Sequence, residues 1–411
     1  MSDTVTSTEA VAAPEYPMDR SGRCPFAPPP EVMELAAAAP LSRVRIWDGS
    51  TPWLITGYET GRELFADSRV SVDDRKTGFP HWNEHMLSTV DKRPRSVFTS
   101  DAEEHTRFRR MLSKPFTFKR VEGLRSAIQK VTDECIDAVL AGPQPADLVT
   151  ALALPVPTVV ISEMLGVPYE DHEFFQKWSL AGLDASSTME EKSAATGTLF
   201  GYMFDLVARK EREPGDDLVS RLITDHVAAG ELSLETAAMN AVIMLQAGHE
   251  TSASMISLGT LALLQDPAAF ARLRDAEDPT IAADTVEELM RYLTVVHSLV
   301  ERVALEDCTI AGQDISAGDV VLMNLPAGNW DPAFVDDPET FDPTRGARGH
   351  LGFGYGAHQC IGANLARVEM QIALSSLVRR LPGLRLAVPV EELRFQNEQE
   401  IFGIEALPVT W

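Results

Sequence analysis

One of the four cysteines of this 411-residue chain stands in a setting that suits metal chemistry. Cys360 follows the glycine-rich turn FGYGAHQ, and an apolar-periodic segment typical of a helix begins directly after it. Free N–H groups at a helix N-terminus favour a thiolate, and glycines let the backbone approach a flat ligand closely. We therefore predict that Cys360 is a thiolate ligand of a soft or borderline metal. The alternatives are a buried structural cysteine or a zinc ligand, although His350 and His358 lack the spacing of a zinc pair.

A long apolar segment with a polar centre provides the second chemical feature. Residues 234–265 show the helical period, with Ser233 as the expected N-cap and Asp266-Pro267 as the stop. A helix of that length spans roughly 48 Å, enough to cross a globular protein. Its middle is interrupted by the polar run Ala-Gly-His-Glu-Thr at residues 247–251. A glycine there costs about 1 kcal/mol relative to alanine, so we expect a functional reason for the break.

The polar break supplies groups that could act above a metal. Gly248 leaves room for a ligand, and the Thr251 hydroxyl can bond either the carbonyl of Ala247 or a bound molecule. Glu250 adds an ionisable proton source beside it, as proton delivery requires. The alternative for Thr251 is a hydroxyl that only bonds its own helix.

The spacing F-G-x-G-x-H-x-C-x-G over residues 353–362 resembles the haem-binding loop of the cytochrome P450 haem-thiolate monooxygenases. The branch it resembles most is the soluble actinobacterial one, which acts on secondary metabolites and xenobiotics. The resemblance implies haem b with Cys360 as the axial ligand. It also implies that the polar break is the oxygen-binding motif, with Glu250 and Thr251 relaying protons. The loop and helix residues that would contact the haem are Phe353, His358, Cys360, Gly362, Ala247 and Gly248.

Further motifs of the same family occur in the expected order. His105 and Arg109 look like the H-x-x-x-R pair that binds haem propionates, and Arg302 with His358 would complete the set of donors.

The family's structural E-x-x-R motif is matched as well. Glu288 and Arg291 fit it, and Arg345 is the expected third member of a buried ion network. Two departures stand out: Trp330 occupies a position where relatives often have arginine, and His297 lies in a segment that normally lines the substrate pocket with apolar residues.

The elements around these motifs predict a mainly α protein with a small β component. We expect a loose arm over residues 1–24 and one large domain over residues 25–411, with the haem between the long central helix and the helix that follows Cys360. Strand-like pieces lie at residues 42–47, 53–57, 320–325 and 401–410. Residues 326–359 show no regular period and predict an ordered loop that shapes the site.

The charge balance bears on partners. The chain carries 36 basic and 61 acidic residues and has a net charge of −25, which argues against nucleic acid or an anionic membrane as the main partner. Residues 106–121 and 343–368 contain basic side chains and no acid, which favours a docking face for an acidic protein. No flavin or iron–sulfur signature is present, and the resemblance implies electron supply by a ferredoxin and a ferredoxin reductase.

With these features, the resemblance implies a haem-dependent monooxygenase that uses O2 to hydroxylate or otherwise oxidise an apolar or mixed small molecule. The resemblance assigns the substrate pocket to residues 71–99, 171–212, 295–300 and 401–404. The alternatives are a peroxide-driven peroxygenase, which would not need the Glu250–Thr251 pair, and a haem sensor, which would need an output module. Scattered cysteines, an N-terminus without a signal-peptide pattern and the absence of an 18-residue apolar run predict a cytoplasmic protein, and we expect a monomer.

Overall fold

Helices make up most of the fold, as the sequence predicts. The computed structural model describes residues 13–20, 24–81, 84–171, 174, 177–178, 188–298, 300–397 and 400–411. The α-helices in these ranges are α1 (Pro30–Ala38), α2 (Tyr58–Ala66), α3 (Glu84–Thr89), α4 (Ala102–Ser113), α5 (Phe118–Ala141), α6 (Pro155–Leu165), α7 (Met189–Arg212), α8 (Leu218–Arg221), α9 (Leu234–Gln265), α10 (Pro267–Arg274), α11 (Pro279–Leu293), α12 (Leu325–Asn329) and α13 (Ala363–Arg380). None of these described helices is both long and apolar enough to cross a membrane.

The strands are short and form three small sheets within the described residues. They are β1 (Leu41–Arg43), β2 (Trp53–Ile55), β3 (Val70–Ser71), β4 (Ala146–Asp147), β5 (Glu301–Ala304), β6 (Cys308–Ile310), β7 (Gln313–Ile315), β8 (Val320–Met323), β9 (Arg385–Leu386) and β10 (Pro408–Thr410). The largest sheet has the order β1-β2-β8-β5-β3, and β2 runs parallel to β8 with Trp53 opposite Val321. The strand-like pieces around residues 42, 53 and 320 are confirmed. The piece at 401–410 forms a strand only at its end, in β10.

The central helix α9 has the predicted bounds. The Ser233 side chain accepts a hydrogen bond from the N–H of Thr236, and the helix ends at Asp266. Most of its side chains are buried, because it contacts α6, α7 and α13 on different sides. A helix that is buried over most of its surface needs little polar face, which explains its apolar composition.

Part of the predicted N-terminal arm packs against the rest of the chain. Residues 14 and 16 exchange backbone hydrogen bonds with Arg45, and the side chains of Tyr16 and Arg20 are 5% and 3% exposed. The prediction of a loose arm is therefore wrong for residues 14–20. The polar, proline-rich composition predicted looseness, whereas these two side chains reach buried carbonyl groups far along the chain.

The long segment 326–359 is mostly irregular, as predicted, but it is not free of helix. It begins within α12, where Asn324 caps the helix through the N–H of Ala327. Two 3-10 turns, Leu351–Phe353 and Gly356–His358, follow shortly before Cys360. Five residues are too few to show a period of 3.6 in the sequence, so this helix was missed.

Candidate active site

The loop that carries Cys360 is held by its own backbone. The Cys360 N–H donates to the carbonyl of Phe353 at 2.8 Å, and Gly362 is the N-cap residue of α13. Burial raises the pKa of the Cys360 thiol, while the N–H of Gly362 and the charge of Arg109 oppose that rise. The backbone N–H groups at the start of α13 favour the thiolate, as the sequence predicted, but they do not offset the desolvation of the sulfur. Coordination to a metal deprotonates such a thiol directly.

Neighbouring elements fix the shape of the loop. Gly356 has a φ of +73°, and a Cβ there would lie 2.5 Å from the carbonyl oxygen of Phe65 in α2, so only glycine fits. On the other side, the Arg367 guanidinium lies 4.5 Å from the centre of the Phe353 ring. Arg367 also pairs with Glu287 on α11, with Nη2 and Oε2 3.0 Å apart. The loop is thus held between α2, α11 and α13.

Four cationic or hydrogen-bonding side chains from distant segments meet beside this loop. The rings of His105 on α4 and His358 lie 3.9 Å apart, centre to centre. Burial lowers the pKa of His358 to about 3, and the nearby His105, Arg302 and Arg109 lower it further. The structure therefore brings together the four residues that the sequence grouped as propionate donors.

This cluster fits the carboxylates of a haem. The Nε2 atom of His105 is buried and has no hydrogen-bond partner among the described residues. Burial lowers the pKa of Arg302 to about 10 and also lowers that of Arg109. Buried donors and buried positive charge are stable when an anion pairs with them. Two propionate groups would supply that anion, and Arg109 also interacts electrostatically with Cys360.

The polar break of α9 is only partly as predicted. The Thr251 hydroxyl donates to the Ala247 carbonyl at 2.7 Å, the backbone bond that the sequence left as one of two options. A Cβ on Gly248 would lie 3.1 Å from Cγ1 of Ile161 in α6. The glycine therefore allows α6 to pack closely against α9, a role that the sequence did not predict, and the predicted room above a metal stays a prediction.

A buried acid links this part of α9 to the helix after the cysteine. Ser252 Oγ donates to Oε2 of Glu369 at 2.9 Å, and Glu369 lies in α13. Burial raises the pKa of Glu369 to about 8 and lowers that of His249 to about 4. Sequence reasoning missed Glu369 and named His249 only as part of the polar break. The sequence signal that could have identified these buried groups is an ionisable residue on an otherwise apolar helix face.

The E-x-x-R network is present and buried. Glu288 and Arg291 form two hydrogen bonds of 2.9 and 2.7 Å, with both side chains 0% exposed. Arg345 completes it as predicted, with Nε 3.5 Å from Glu288. Arg291 also donates to the carbonyls of Pro338 and Thr340, so the network ties α11 to the long segment before the cysteine. Its role is structural.

The two departures from the family pattern have different structural roles. Trp330 is buried, stacks on Tyr292 at 5.1 Å and donates its indole N–H to the Tyr292 carbonyl at 3.0 Å. His297 is 2% exposed, so its side chain presents almost no surface to a pocket. Its carbonyl accepts a hydrogen bond from the Tyr16 hydroxyl at 3.0 Å.

The two acid-free stretches behave differently. In residues 343–368 the three arginines are each paired with a carboxylate of α11: Arg345 with Glu288, Arg348 with Asp284 and Arg367 with Glu287. These pairs offset part of the positive charge that the sequence predicted there, although the Arg348 side chain is 71% exposed. In residues 106–121, all of which are described, four basic side chains are exposed and form no ion pair. They are Arg110, Lys114, Lys119 and Arg120.

An exposed aromatic side chain lies among these four residues. Phe118 is 68% exposed at the start of α5. We call these five residues the basic face.

Known proteins resemble the chain along almost its whole length. A family model described as Cytochrome P450 matches residues 186–382. Cytochrome P450 CYP105Q4 of Mycobacterium marinum is 56% identical, and the match covers 100% of each chain. The crystal structure of GfsF, a cytochrome P450 of Streptomyces halstedii, has a TM-score of 0.93 at 49% identity, over 97% of this chain and 100% of that one. Mycinamicin VIII C21 methyl hydroxylase of Micromonospora griseorubida, solved with mycinamicin VIII bound, has a TM-score of 0.88 at 39% identity, over 97% and 100%.

Proposed function

Because the chain belongs to the cytochrome P450 family, in the branch of its actinobacterial relatives, we propose that it hydroxylates an apolar or mixed small molecule with electrons from a ferredoxin and its reductase. Family membership makes it a monooxygenase with haem held by a cysteine thiolate. The observation that carries the proposal is the meeting of His105, Arg109, Arg302 and His358 beside the Cys360 loop.

Cys360 would hold the haem iron through its thiolate. When bound, the haem supplies the oxidising chemistry, and the thiolate donates electron density to it. The propionates would be held by Arg109 and Arg302, whose guanidinium forks suit carboxylates, and by His105 and His358. Phe353, Gly362, Ala247 and Gly248 would contact the macrocycle, and Phe353 is kept in place by Arg367.

Proton delivery falls to Glu250 and Thr251. The Thr251 hydroxyl can pass a proton toward the reacting centre by releasing its own proton, which otherwise bonds the Ala247 carbonyl, and by taking up the proton of the Glu250 carboxyl. A relay of this kind places protons at the reacting centre without opening the site to bulk water.

The relay has a matched control on the same helix. The Thr260 hydroxyl donates to the Ile256 carbonyl at 2.8 Å, the same backbone bond that Thr251 makes. We expect Thr251→Ala to uncouple NADPH consumption from product formation, with ferredoxin and reductase present, and Thr260→Ala to leave the coupling unchanged. Full coupling in Thr251→Ala would show that the relay assignment is wrong.

The ligand assignment has its own test. Replacement of Cys360 by serine should abolish the strongly red-shifted Soret band of the CO-bound ferrous protein. If that band persists, another residue is the axial ligand.

The substrate class rests on the relatives. One of them hydroxylates a methyl group of mycinamicin VIII, and we propose that this chain likewise acts on a secondary metabolite or a xenobiotic. Its pocket would be lined by residues 71–99, 171–212, 295–300 and 401–404, although residues 82–83, 172–173, 175–176, 179–187 and 299 lie outside the described part. A screen for ligand-induced spin shifts against a compound library would identify candidates.

The basic face is the proposed docking site of the ferredoxin. Exposed positive side chains attract an acidic protein, and an exposed aromatic ring in their midst is suited to contact at the centre of an interface. We also propose a cytoplasmic monomer, since all four cysteines are free, which suits a reducing compartment.

A further inference from the structure

The strap, which we define as residues 13–20, reaches two buried parts of the chain. The Tyr16 hydroxyl donates to the His297 carbonyl at 3.0 Å. The two terminal nitrogens of Arg20 donate to the carbonyls of Leu293 and Thr294, at 2.9 and 2.8 Å. All three acceptors lie at the end of α11 or in the five residues after it, more than 270 positions away in the sequence.

Those acceptors belong to a two-stranded structure that we call the ribbon, residues 294–297 and 400–402. The Phe402 N–H donates to the Val295 carbonyl at 2.8 Å, and Val296 and Ile401 form an antiparallel bridge. The Arg20 guanidinium also lies over the ring of Phe402, 4.4 Å from its centre. The strap therefore contacts both strands of the ribbon.

The ribbon begins at a point that needs support. Thr294, the residue directly after α11, has a φ of +35°, a left-handed conformation that residues with a Cβ rarely adopt. The last carbonyls of a helix also lack partners within the helix. Arg20 satisfies the last of them, on Leu293, and also the carbonyl of Thr294 at this bend. Burial lowers the pKa of Arg20 to about 9, so the side chain remains charged at neutral pH.

We propose that Tyr16 and Arg20 are positioning residues that set the shape of the ribbon and, through it, the size of ligand that the pocket accepts. This inference rests on the proposed function, in which residues 295–300 and 401–404 line the substrate pocket. Val296 is half-buried and opposite Ile401, so both side chains lie on the same face of the ribbon. A shift of the ribbon moves that face as a unit.

The first test follows the ribbon itself, by hydrogen–deuterium exchange of the whole protein. Tyr16→Phe removes one hydroxyl and keeps the ring. Arg20→Lys keeps the charge but lacks the two terminal nitrogens with which the guanidinium donates to two carbonyls. We expect both to speed exchange at the N–H groups of Phe402 and His297, which bond across the ribbon. The control is Glu15→Gln, which alters a strap side chain that is 72% exposed. Unchanged exchange in Tyr16→Phe overturns the proposal, even if Arg20→Lys does not fold.

The second test measures ligand size selection in the haem-loaded protein. Imidazole and 4-phenylimidazole bind haem iron through the same nitrogen but differ in bulk. In Tyr16→Phe we expect the dissociation constant of 4-phenylimidazole to change about fivefold, because the net free energy of one hydrogen bond corresponds to a factor of that size. The dissociation constant of imidazole should stay constant. An equal change for both ligands, or none for either, refutes size selection.

The two tests separate the strap from the function it rests on. Wild-type protein without the red-shifted CO band would refute the haem-thiolate assignment. The exchange experiment would still decide whether the strap positions the ribbon, because it requires no haem.

Discussion

Glu369 offers a prediction about pH that follows from one buried side chain. The carboxyl is 1% exposed, and burial raises its pKa from 4.5 to about 8 although Ser252 donates a hydrogen bond to it. The folded protein therefore holds a proton that the unfolded chain loses above pH 4.5. The stabilisation by this proton is fully present below pH 4.5 and is lost as the pH rises through 8.

The magnitude follows from the size of the shift. One pKa unit corresponds to about 1.4 kcal/mol, so a rise of pH from 5 to 7.5 should cost the wild type about 3 kcal/mol relative to a variant without the acid. Glu369→Gln is that variant, because it keeps the shape and cannot ionise. The difference in free energy of unfolding between the two proteins cancels the pH dependence of all other groups.

The assay is urea unfolding of the haem-loaded protein, followed by far-UV circular dichroism at pH 5, 6, 7 and 7.5. Ser252→Ala provides a further arm, since loss of its hydrogen bond should raise the pKa of Glu369 further and extend the pH dependence upward. A difference between wild type and Glu369→Gln that stays constant from pH 5 to 7.5 would refute a protonated Glu369.

Three other predictions concern the ion network, the buried indole and the basic face. Arg291→Lys should lower the free energy of unfolding by about 3 kcal/mol or more, because it breaks a fully buried ion pair. The control Arg274→Lys, at an exposed pair with Asp275, should change the free energy of unfolding little. Equal effects of the two variants in urea unfolding would contradict this prediction. Trp330→Phe should cost about 1 to 2 kcal/mol through the lost bond to the Tyr292 carbonyl, and an unchanged urea midpoint would argue against it. Charge reversal of Lys119 and Arg120 together should raise the KM for an acidic [2Fe–2S] ferredoxin about tenfold at low salt and less at high salt. The control Lys130→Glu, on the same helix but outside the basic face, should leave that KM unchanged. A change in KM that does not depend on salt would exclude electrostatic docking.

Features specified by neighbouring residues could be predicted from the sequence. The bounds of α9 followed from Ser233 at one end and Asp266-Pro267 at the other, because caps and prolines act locally. The loop at Cys360 and the helix that follows it could be predicted in the same way, because the loop is marked by adjacent glycines and the helix by regularly spaced apolar residues. The grouping of His105, Arg109, Arg302 and His358 is not local, and it could be predicted only because the family resemblance linked the four positions.

Features specified by distant partners could not be predicted. Nothing near Gly248 indicates that Ile161 would lie against it, and a glycine in a polar break suggests a ligand as readily as a close helix contact. Tyr16 and Arg20 sit in a proline-rich, polar stretch, and their burial depends on carbonyls at the end of α11. In both cases the contacting atom lies in another element, so neither the composition nor the periodicity of the local sequence predicts the contact.

The basic stretches show the same limit for charge. Residues 106–121 and 343–368 are equally free of acids, and sequence reasoning treated them alike. The second stretch packs beside α11, which carries Asp284, Glu287 and Glu288, and each of its arginines finds one of these carboxylates. Counting charges along the chain therefore identifies a candidate docking face, but only the neighbouring helix decides whether the charge reaches the solvent. We therefore expect ferredoxin binding to depend on Lys119 and Arg120 and not on Arg345.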